Sequence, residues 1–327
     1  MTNAVALAQG GSLNTTMRNR IINGDMRIDQ RNNGASVTPT NAQYVTDRWA
    51  FAVTAASKFT AQQGAASNPP GFPLAMLVTS SSAYSIGNGD IFAIFQRIEG
   101  FNTADLGWGT ASAAPITISF FVRSSLTGTF GGSVANNGNT RSYPFSYTIN
   151  AANTWEQKTV TIAGDTTGTW LTTNGVGLNL SLGFGVGSTY SSAAGAWASG
   201  NYWSSTGAVS VVGTSGATFY VTGVQLEAGT SATPFEFRQY GTELALCQRY
   251  CATFGGLWNL PSNSYLTIKL PTVMRGSMSF PSNTTAYGQS YTPTIVSASN
   301  TLDGVLVYPN ASSPTIIGFN ATATAEL

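Results

Sequence analysis

In the stretch Leu178-Asn-Leu-Ser-Leu-Gly-Phe-Gly-Val186 every second residue is apolar. A period of two belongs to an extended strand, so Leu178, Leu180, Leu182, Phe184 and Val186 are predicted to line one sheet face and point inward. Ile116, Ile118, Phe120 and Val122 repeat the pattern, with Thr117 and Ser119 opposite. Asn-Gly pairs, the strongest short hairpin signal, punctuate the chain at Asn23-Gly24, Asn33-Gly34, Asn88-Gly89, Asn137-Gly138 and Asn174-Gly175. Further strands fit Trp49–Val53, Leu74–Thr79, Ile91–Ile98, Gln157–Ile162 and Thr218–Leu226. Short strands, glycine-rich turns and almost no helical periodicity predict an all-β fold. The expected form is an antiparallel jelly-roll sandwich over residues 21–240, its two sheets burying their inner faces.

The flanks read differently. Residues 1–20 are small and polar without periodicity, so they are expected to be an extended N-terminal docking arm that orders only against a partner chain. One short junction helix is predicted within 241–253, with Thr242 capping a run from Glu243 to about Cys251 and Leu244, Cys247 and Cys251 on one face. Residues 254–327 suggest a small C-terminal β region, with strands at Tyr265–Leu270, Gly304–Tyr308 and Thr315–Phe319. Some 70 residues is marginal for an independent core, so this part is expected to lean on the sandwich or on a neighbouring subunit.

Composition narrows the chemistry. The 327 residues include no histidine, and only 8% are charged against about a quarter in an ordinary soluble domain. Histidine is the usual general base and metal ligand near neutral pH, so the commonest catalytic and zinc chemistries lack their raw material. A formal charge of +1 gives no field for gathering nucleic acid, and no apolar run approaches the roughly 18 residues of a membrane span. The N-terminus has no basic start followed by an apolar stretch, and so does not resemble a signal peptide. Cys247 and Cys251 lie four apart, a spacing that suits neither a helical disulfide nor a metal site, and they read as two small buried hydrophobes made in a reducing cytoplasm.

Glycosidases need only two carboxylates, and Asp90, Glu99 and Asp105 surround an aromatic strand, which leaves a polysaccharide depolymerase as a minor alternative. Structural Ca2+ is compatible with a jelly roll, yet no DxDxDG-like loop occurs and Asp25 and Asp29 are separated by an arginine. No cofactor is expected. Arg18, Arg20, Arg27 and Arg31 form a basic cluster that Asp25 and Asp29 interrupt, which favours docking or internal ion pairing over nucleic-acid contact. Of the aromatics (17 Phe, 13 Tyr and 7 Trp) most must be core. Tyr190, Trp197, Tyr202 and Trp203 sit in the Gly/Ser/Ala-rich stretch Gly183–Ser205 and are the candidates for glycan or intersubunit contact.

Several segments resemble a broad family of tailed-bacteriophage and prophage virion proteins, identified as tail fibre, capsid fibre or receptor-binding proteins. They are Asn19-Arg-Ile-Ile-Asn-Gly-Asp-Met-Arg-Ile-Asp-Gln-Arg31, Tyr44-Val-Thr-Asp-Arg-Trp49, Ile116-Thr-Ile-Ser-Phe-Phe-Val-Arg-Ser124 and Thr154-Trp-Glu-Gln-Lys-Thr-Val-Thr-Ile162 with Gly164-Asp165. Phe219-Tyr-Val-Thr-Gly-Val-Gln-Leu-Glu-Ala-Gly229, Thr233-Pro-Phe-Glu236 and Leu246-Cys-Gln-Arg-Tyr250 continue the match over about residues 19–250. The C-terminal likeness rests only on Val273-Met-Arg275 and Ala325-Glu-Leu327. The resemblance implies a carbohydrate-binding-like jelly roll and a mostly non-enzymatic virion role, with assembly in the host cytoplasm. It carries no ligand-binding residues onto this chain. The leading expectation is a fibre or spike subunit whose arm docks on other virion proteins while its β domains meet host-surface glycan. The alternative is a purely structural capsid decoration or cement protein. Thin charge cover and many aromatics predict burial between copies, and a homotrimer with the region after Phe254 at the interface.

Overall fold

The computed structural model describes residues 17–65, 67–260, 266–275, 285–286, 294–296, 304–308 and 315–327. Within the sandwich the strands are β1 (Gln43–Thr46), β2 (Trp49–Val53), β3 (Phe59–Gly64), β4 (Ala75–Ser80), β5 (Ile91–Glu99), β6 (Ile116–Ser124) and β7 (Gly128–Ala135). They continue with β8 (Arg141–Ile149), β9 (Glu156–Ile162), β10 (Val176–Val186), β11 (Ser191–Ser192), β12 (Ala198–Ser199), β13 (Ser204–Ser205) and β14 (Thr218–Ala228). One sheet runs β1-β2-β5-β10-β7-β8-β12 and the other β3-β4-β14-β6-β9, antiparallel throughout. The chain passes repeatedly from one sheet to the other, as a jelly roll requires. The fold is all-β, as the alternation predicts.

Phe51, Phe59, Phe92, Phe184 and Phe219 meet between the sheets, with Phe59 and Phe184 centroids 4.9 Å apart in an edge-to-face contact. Ile116, Ile118, Phe120 and Val122 face the same interior, as do Leu178, Leu180, Leu182 and Phe184. Val186 does not. Between Gly183 and Gly185 the β10–β5 register shifts, and this bulge turns Val186 to the outer face beside Ile91, Ala93 and Tyr190. The five Asn-Gly pairs also divide. Asn137-Gly138 turns the β7–β8 hairpin, whereas Asn88-Gly89 and Asn174-Gly175 lie in crossovers between sheets. Asn23-Gly24 is buried against β14, where a Cβ on Gly24 would lie 2.2 Å from the Val224 carbonyl oxygen.

Of the stretch expected as an arm, residues 1–16 lie outside the described residues. Arg18 to Arg20 are part of the sandwich. Asn19 donates to the Val224 carbonyl at 3.1 Å and accepts from Leu226 N–H at 3.0 Å, and Arg20 N–H donates to the Leu226 carbonyl at 2.9 Å. The basic cluster is ion-paired internally: Arg18 with Glu227, Arg20 with Asp105, Arg27 with Asp25, and Arg31 with Asp47 and Glu326.

The helix α1 spans Tyr240–Gln248, earlier than Thr242 capping implies. Gln239 occupies its N-cap without a side-chain cap bond; the buried Glu243 carboxylate instead accepts from Asn23 N–H and from Arg238. Cys251 is not helical but opens β15 (Cys251–Leu260), and both cysteines are free and buried. Burial pushes both thiols up. Beyond lie β16 (Leu266–Lys269), β17 (Thr285–Ala286), β18 (Thr294–Val296), β19 (Gly304–Tyr308) and β20 (Thr315–Thr324), in two small sheets ordered β15-β20-β17 and β16-β19-β18. The last residues dock on the sandwich: Glu326 pairs with Arg31 and Arg48, and the Leu327 carbonyl accepts from Arg97 at 2.6 Å. No described helix is long and apolar enough to cross a membrane.

Candidate functional site

Three tryptophans gather at one end of the sandwich. Trp108 lies in the loop after β5 and Trp170 in the loop before β10, while Trp197 comes from the loop between β11 and β12. Their centroids are 4.6 Å apart for Trp108–Trp170, 5.3 Å for Trp108–Trp197 and 5.5 Å for Trp170–Trp197, all edge-to-face. This arrangement places the positive rim of one indole against the negative face of another. Tyr143 on β8 extends the group at 5.2 Å from Trp197.

Every indole N–H is spent on the protein: Trp108 donates to the Ala114 carbonyl at 2.7 Å, Trp170 to Thr167 at 3.1 Å and Trp197 to Ala163 at 2.7 Å. Trp108 is buried, and the half-buried Trp170 and Trp197 present the apolar surface that faces outward. Behind Trp197 the Arg141 guanidinium grips Asp165 through two bonds of 2.8 and 2.7 Å. Burial acts to raise the Asp165 carboxyl, but Arg141 and Thr167 outweigh it and hold the group below the usual carboxylate range.

A cleft of about 190 Å3 opens beside Trp108 and Trp170, with Thr103, Thr110, Leu171 and Thr172 among its lining residues. No charged side chain lines it. Its walls are braced from behind. Arg20 forks onto Asp105 with two 2.6 Å bonds, and Gly109 N–H donates to the Asp165 carbonyl at 2.8 Å. Gly100 and Phe101 N–H groups tie to the Gly175 and Thr173 carbonyls at 2.8 and 2.9 Å. Gly109, at φ +83°, sits where a Cβ would lie 2.8 Å from the Gly168 carbonyl oxygen, so the two loops approach as only glycine allows.

The residues singled out from sequence do not form one site. Trp197 belongs to the tryptophan cluster. Tyr190 and Trp203 lie on the outer face of the seven-stranded sheet, packed against Ala50, Ile91, Ala93 and Phe95, with Trp203 and Phe95 centroids 5.5 Å apart. Tyr202 is half-buried, its N–H donating to Ser142 Oγ at 3.2 Å. The acids thought able to face a groove are committed elsewhere. Asp90 accepts from Thr54, Tyr84 and Gly87, Glu99 from Arg249 and Tyr250, and Asp105 from Arg20. Among the described residues no group of His, Cys, Asp and Glu could hold a metal ion. Trp108 and Trp170 escape a reading built on one loop, although both carry the signal that marked Trp197: a tryptophan among glycines, Gly107-Trp-Gly109 and Gly168-Thr-Trp170.

No family model and no curated protein matches the chain in sequence. Its backbone is similar to solved structures at low identity. The enzymatically active domain of tailspike protein 4 from bacteriophage CBA120 aligns at 11% identity and TM-score 0.35 over 65% of this chain and 22% of that one. The match thus spans about a fifth of that domain's length. A family 11 carbohydrate-binding module from Clostridium thermocellum, in complex with a β-1,3-1,4-mixed-linked tetrasaccharide, aligns at 12% identity and TM-score 0.30, covering 60% of this chain and 98% of that one. The N-terminal cellulose-binding domain of Cellulomonas fimi β-1,4-glucanase C aligns at 12% identity and TM-score 0.29, covering 59% and 100%.

Proposed function

We propose that the chain is a non-enzymatic subunit of a bacteriophage virion, a tail or capsid fibre or spike component, that contacts host-surface glycan at the tryptophan end of its sandwich. The observation that carries the glycan reading is the cleft: indole walls, threonine hydroxyls and no charge, braced by hydrogen bonds before any ligand arrives. Sugars offer such a site C–H faces for the rings and hydroxyls for the threonines, and a preformed cleft loses little entropy on binding. The virion assignment rests on the sequence resemblance over residues 19–250.

Binding is favoured over hydrolysis by how the acids are spent. Glycoside cleavage needs two carboxylates flanking the bond, roughly 5–10 Å apart. No acid lines the cleft, and Asp165, the carboxylate behind its wall, is locked to Arg141. In the virion the subunit is expected to form a homotrimer and to attach through its N-terminal segment to other virion proteins.

Two experiments test the reading. Purified protein mixed with capsular polysaccharide or lipopolysaccharide of a susceptible host should retain it without releasing new reducing ends; release of reducing ends would make it a depolymerase. Antibody labelling of the particle under cryo-electron microscopy should mark a projecting fibre or spike. Label confined between capsomers would make it a cement protein.

A further inference from the structure

We infer that the cleft beside Trp108 and Trp170 is a subsite for a single neutral pyranose, the terminal or branch sugar of a longer chain that continues over Phe101. The inference rests on the glycan reading above and gives that site its ligand class.

Size comes first. About 190 Å3 lies below the roughly 300–1,000 Å3 of pockets that engulf drug-sized ligands. It takes one ring and not a chain. Shape follows from the two indoles, which meet at 80°: the half-buried Trp170 ring is able to lie along a sugar's C–H face, and the buried Trp108 closes the inner end of the cleft. Hydrogen-bonding character follows from the threonines. Thr110 Oγ1 donates to the Gly107 carbonyl at 2.6 Å and accepts from Ser112 N–H at 3.2 Å, and Thr103 Oγ1 donates to the Gly100 carbonyl at 3.3 Å, so both hydroxyls have spent their proton and can meet a ligand only as acceptors. A sugar hydroxyl can donate to the lone pair that each oxygen still has free.

Charge decides the class. A uronate or sialate carboxylate needs a cation or a cluster of free N–H donors. No charged side chain lines the cleft, Arg20 beside it is committed to Asp105, and the three indole N–H groups point at backbone carbonyls. An acidic sugar would enter the cleft unpaired and is disfavoured.

Phe101 supplies the continuation. It is 61% exposed, and its N–H is bonded to the Thr173 carbonyl, next in sequence to the lining Thr172. An exposed aromatic on the loop that leads into the lining Thr103 and Ala104 is placed to meet the second sugar.

The test titrates the full chain with methyl glycosides of glucose, galactose, N-acetylglucosamine and rhamnose, and with glucuronic and N-acetylneuraminic acids, following tryptophan emission and saturation-transfer NMR. At least one neutral glycoside should bind and perturb tryptophan emission, and the acids should not. Trp170→Ala should weaken binding about tenfold or more. Because Trp170 also packs against two other rings, Ala104→Trp serves as the second variant; it fills the cleft from an exposed position and should abolish binding without lowering the unfolding midpoint. Folded Ala104→Trp protein that binds like the parent overturns the site, while retention of host polysaccharide by the same protein would leave the broader reading standing. Equal binding of the acids overturns the ligand class. Retention of polysaccharide with no monosaccharide bound overturns the single-ring assignment, and failure to bind either overturns both readings.

Discussion

The space between the two sheets and the seam where α1 meets the sandwich are both buried, yet they are built from opposite materials. Between the sheets lie Phe51, Phe59, Phe184 and Phe219 with aliphatic neighbours. At the seam lie Arg31, Asp47, Arg48, Glu99, Arg238, Glu243, Arg249 and Glu326, joined in ion pairs that connect residues up to 295 positions apart. Arg48 is 1% exposed, bonded to Glu326 and to the Arg97 carbonyl, and stacked 3.5 Å from the Tyr250 ring centroid. A chain with only 8% charged residues thus spends many of its charges inside. Volume specifies the first region, and pairing specifies the second.

Truncation in either region should be costly, and repair should tell them apart. Phe184→Ala leaves a cavity and Arg48→Ala leaves Glu326 short of a partner; each is expected to cost about 3–5 kcal/mol in urea unfolding at pH 7. Adding Glu326→Met to Arg48→Met should recover much of the loss, because a buried pair can be replaced by packed apolar side chains at little net cost. No second polar or charge change can repair Phe184→Ala. If Arg48→Ala costs under about 1 kcal/mol, the seam does not hold the last residues to the sandwich.

A smaller effect separates the inner face of the seven-stranded sheet from its outer one. The loop carrying β13 lies on the outer face because β7 has glycine there: a Cβ on Gly131 would sit 2.2 Å from Ser204 Oγ and 2.6 Å from Ser205 N. Gly131→Ala should cost about 1–3 kcal/mol by overpacking. Limited proteolysis should then cut within residues 187–205 first, with the Phe184 core still protected. Simultaneous loss of both would mean the loop and the core unfold as one unit.

How far the sequence disclosed each region follows the same division. The interior is local: alternation names Leu178 to Phe184 and Ile116 to Val122 without knowledge of their partners, and fails only at Val186, where a bulge with no alternation signal reverses the face. Strand β7, Gly-Thr-Phe-Gly-Gly-Ser-Val-Ala, is absent from the strands read from sequence, since Gly131 and Gly132 answer to Ser204, Ser205 and Phe145 rather than to their own segment. The seam is non-local. Nothing near Arg31 or Arg48 announces Glu326, so the arginine cluster could be narrowed to docking or internal pairing but not to its partners. The tryptophan cleft is intermediate: each ring has a glycine-rich signature, but their convergence depends on three separate loops.

The seam should also respond to pH where the interior cannot. Burial pushes the Asp47 carboxyl up to about 7 from 3.8, against the opposing pull of Arg31 and Gln30. Between those values the folded state holds a proton that the unfolded state has released. Stability therefore falls as pH rises through that window, by at most about 1.4 kcal/mol per unit, and levels off above it. Asp25 is shifted in the same direction by burial. Asp90, Asp165 and Glu156 are held low by their hydrogen bonds, so their stabilisation is lost only as pH falls through the acidic range. With no histidine in the chain, Asp47 is the described carboxyl raised to about 7 and so the group expected to dominate the interval from pH 5 to 7. Asp47→Asn should flatten the urea midpoint across it; an unchanged slope would place the titrating group elsewhere.

The smallest effect gives the sharpest contrast, because the same atom is deleted in both regions. Tyr147 packs between Phe120 and Phe130, at 5.0 and 5.9 Å, and its hydroxyl has no hydrogen-bond partner among the described residues. Tyr250 at the seam donates its hydroxyl to Glu99 at 2.7 Å. Burial pushes both phenols up, that of Tyr250 to about 12. Removing an unpaired buried hydroxyl removes a desolvation cost, whereas removing the Tyr250 hydroxyl takes one charge-assisted hydrogen bond from Glu99 and leaves it to Arg249. Tyr147→Phe is expected to leave stability unchanged or raise it by up to about 1 kcal/mol, and Tyr250→Phe to lower it by about 1–3 kcal/mol. Each keeps its ring, so packing is held constant and the sign alone reports the polar term. Two losses of equal size would show that the interior satisfies the Tyr147 hydroxyl after all, and that the two regions differ in residue type but not in kind.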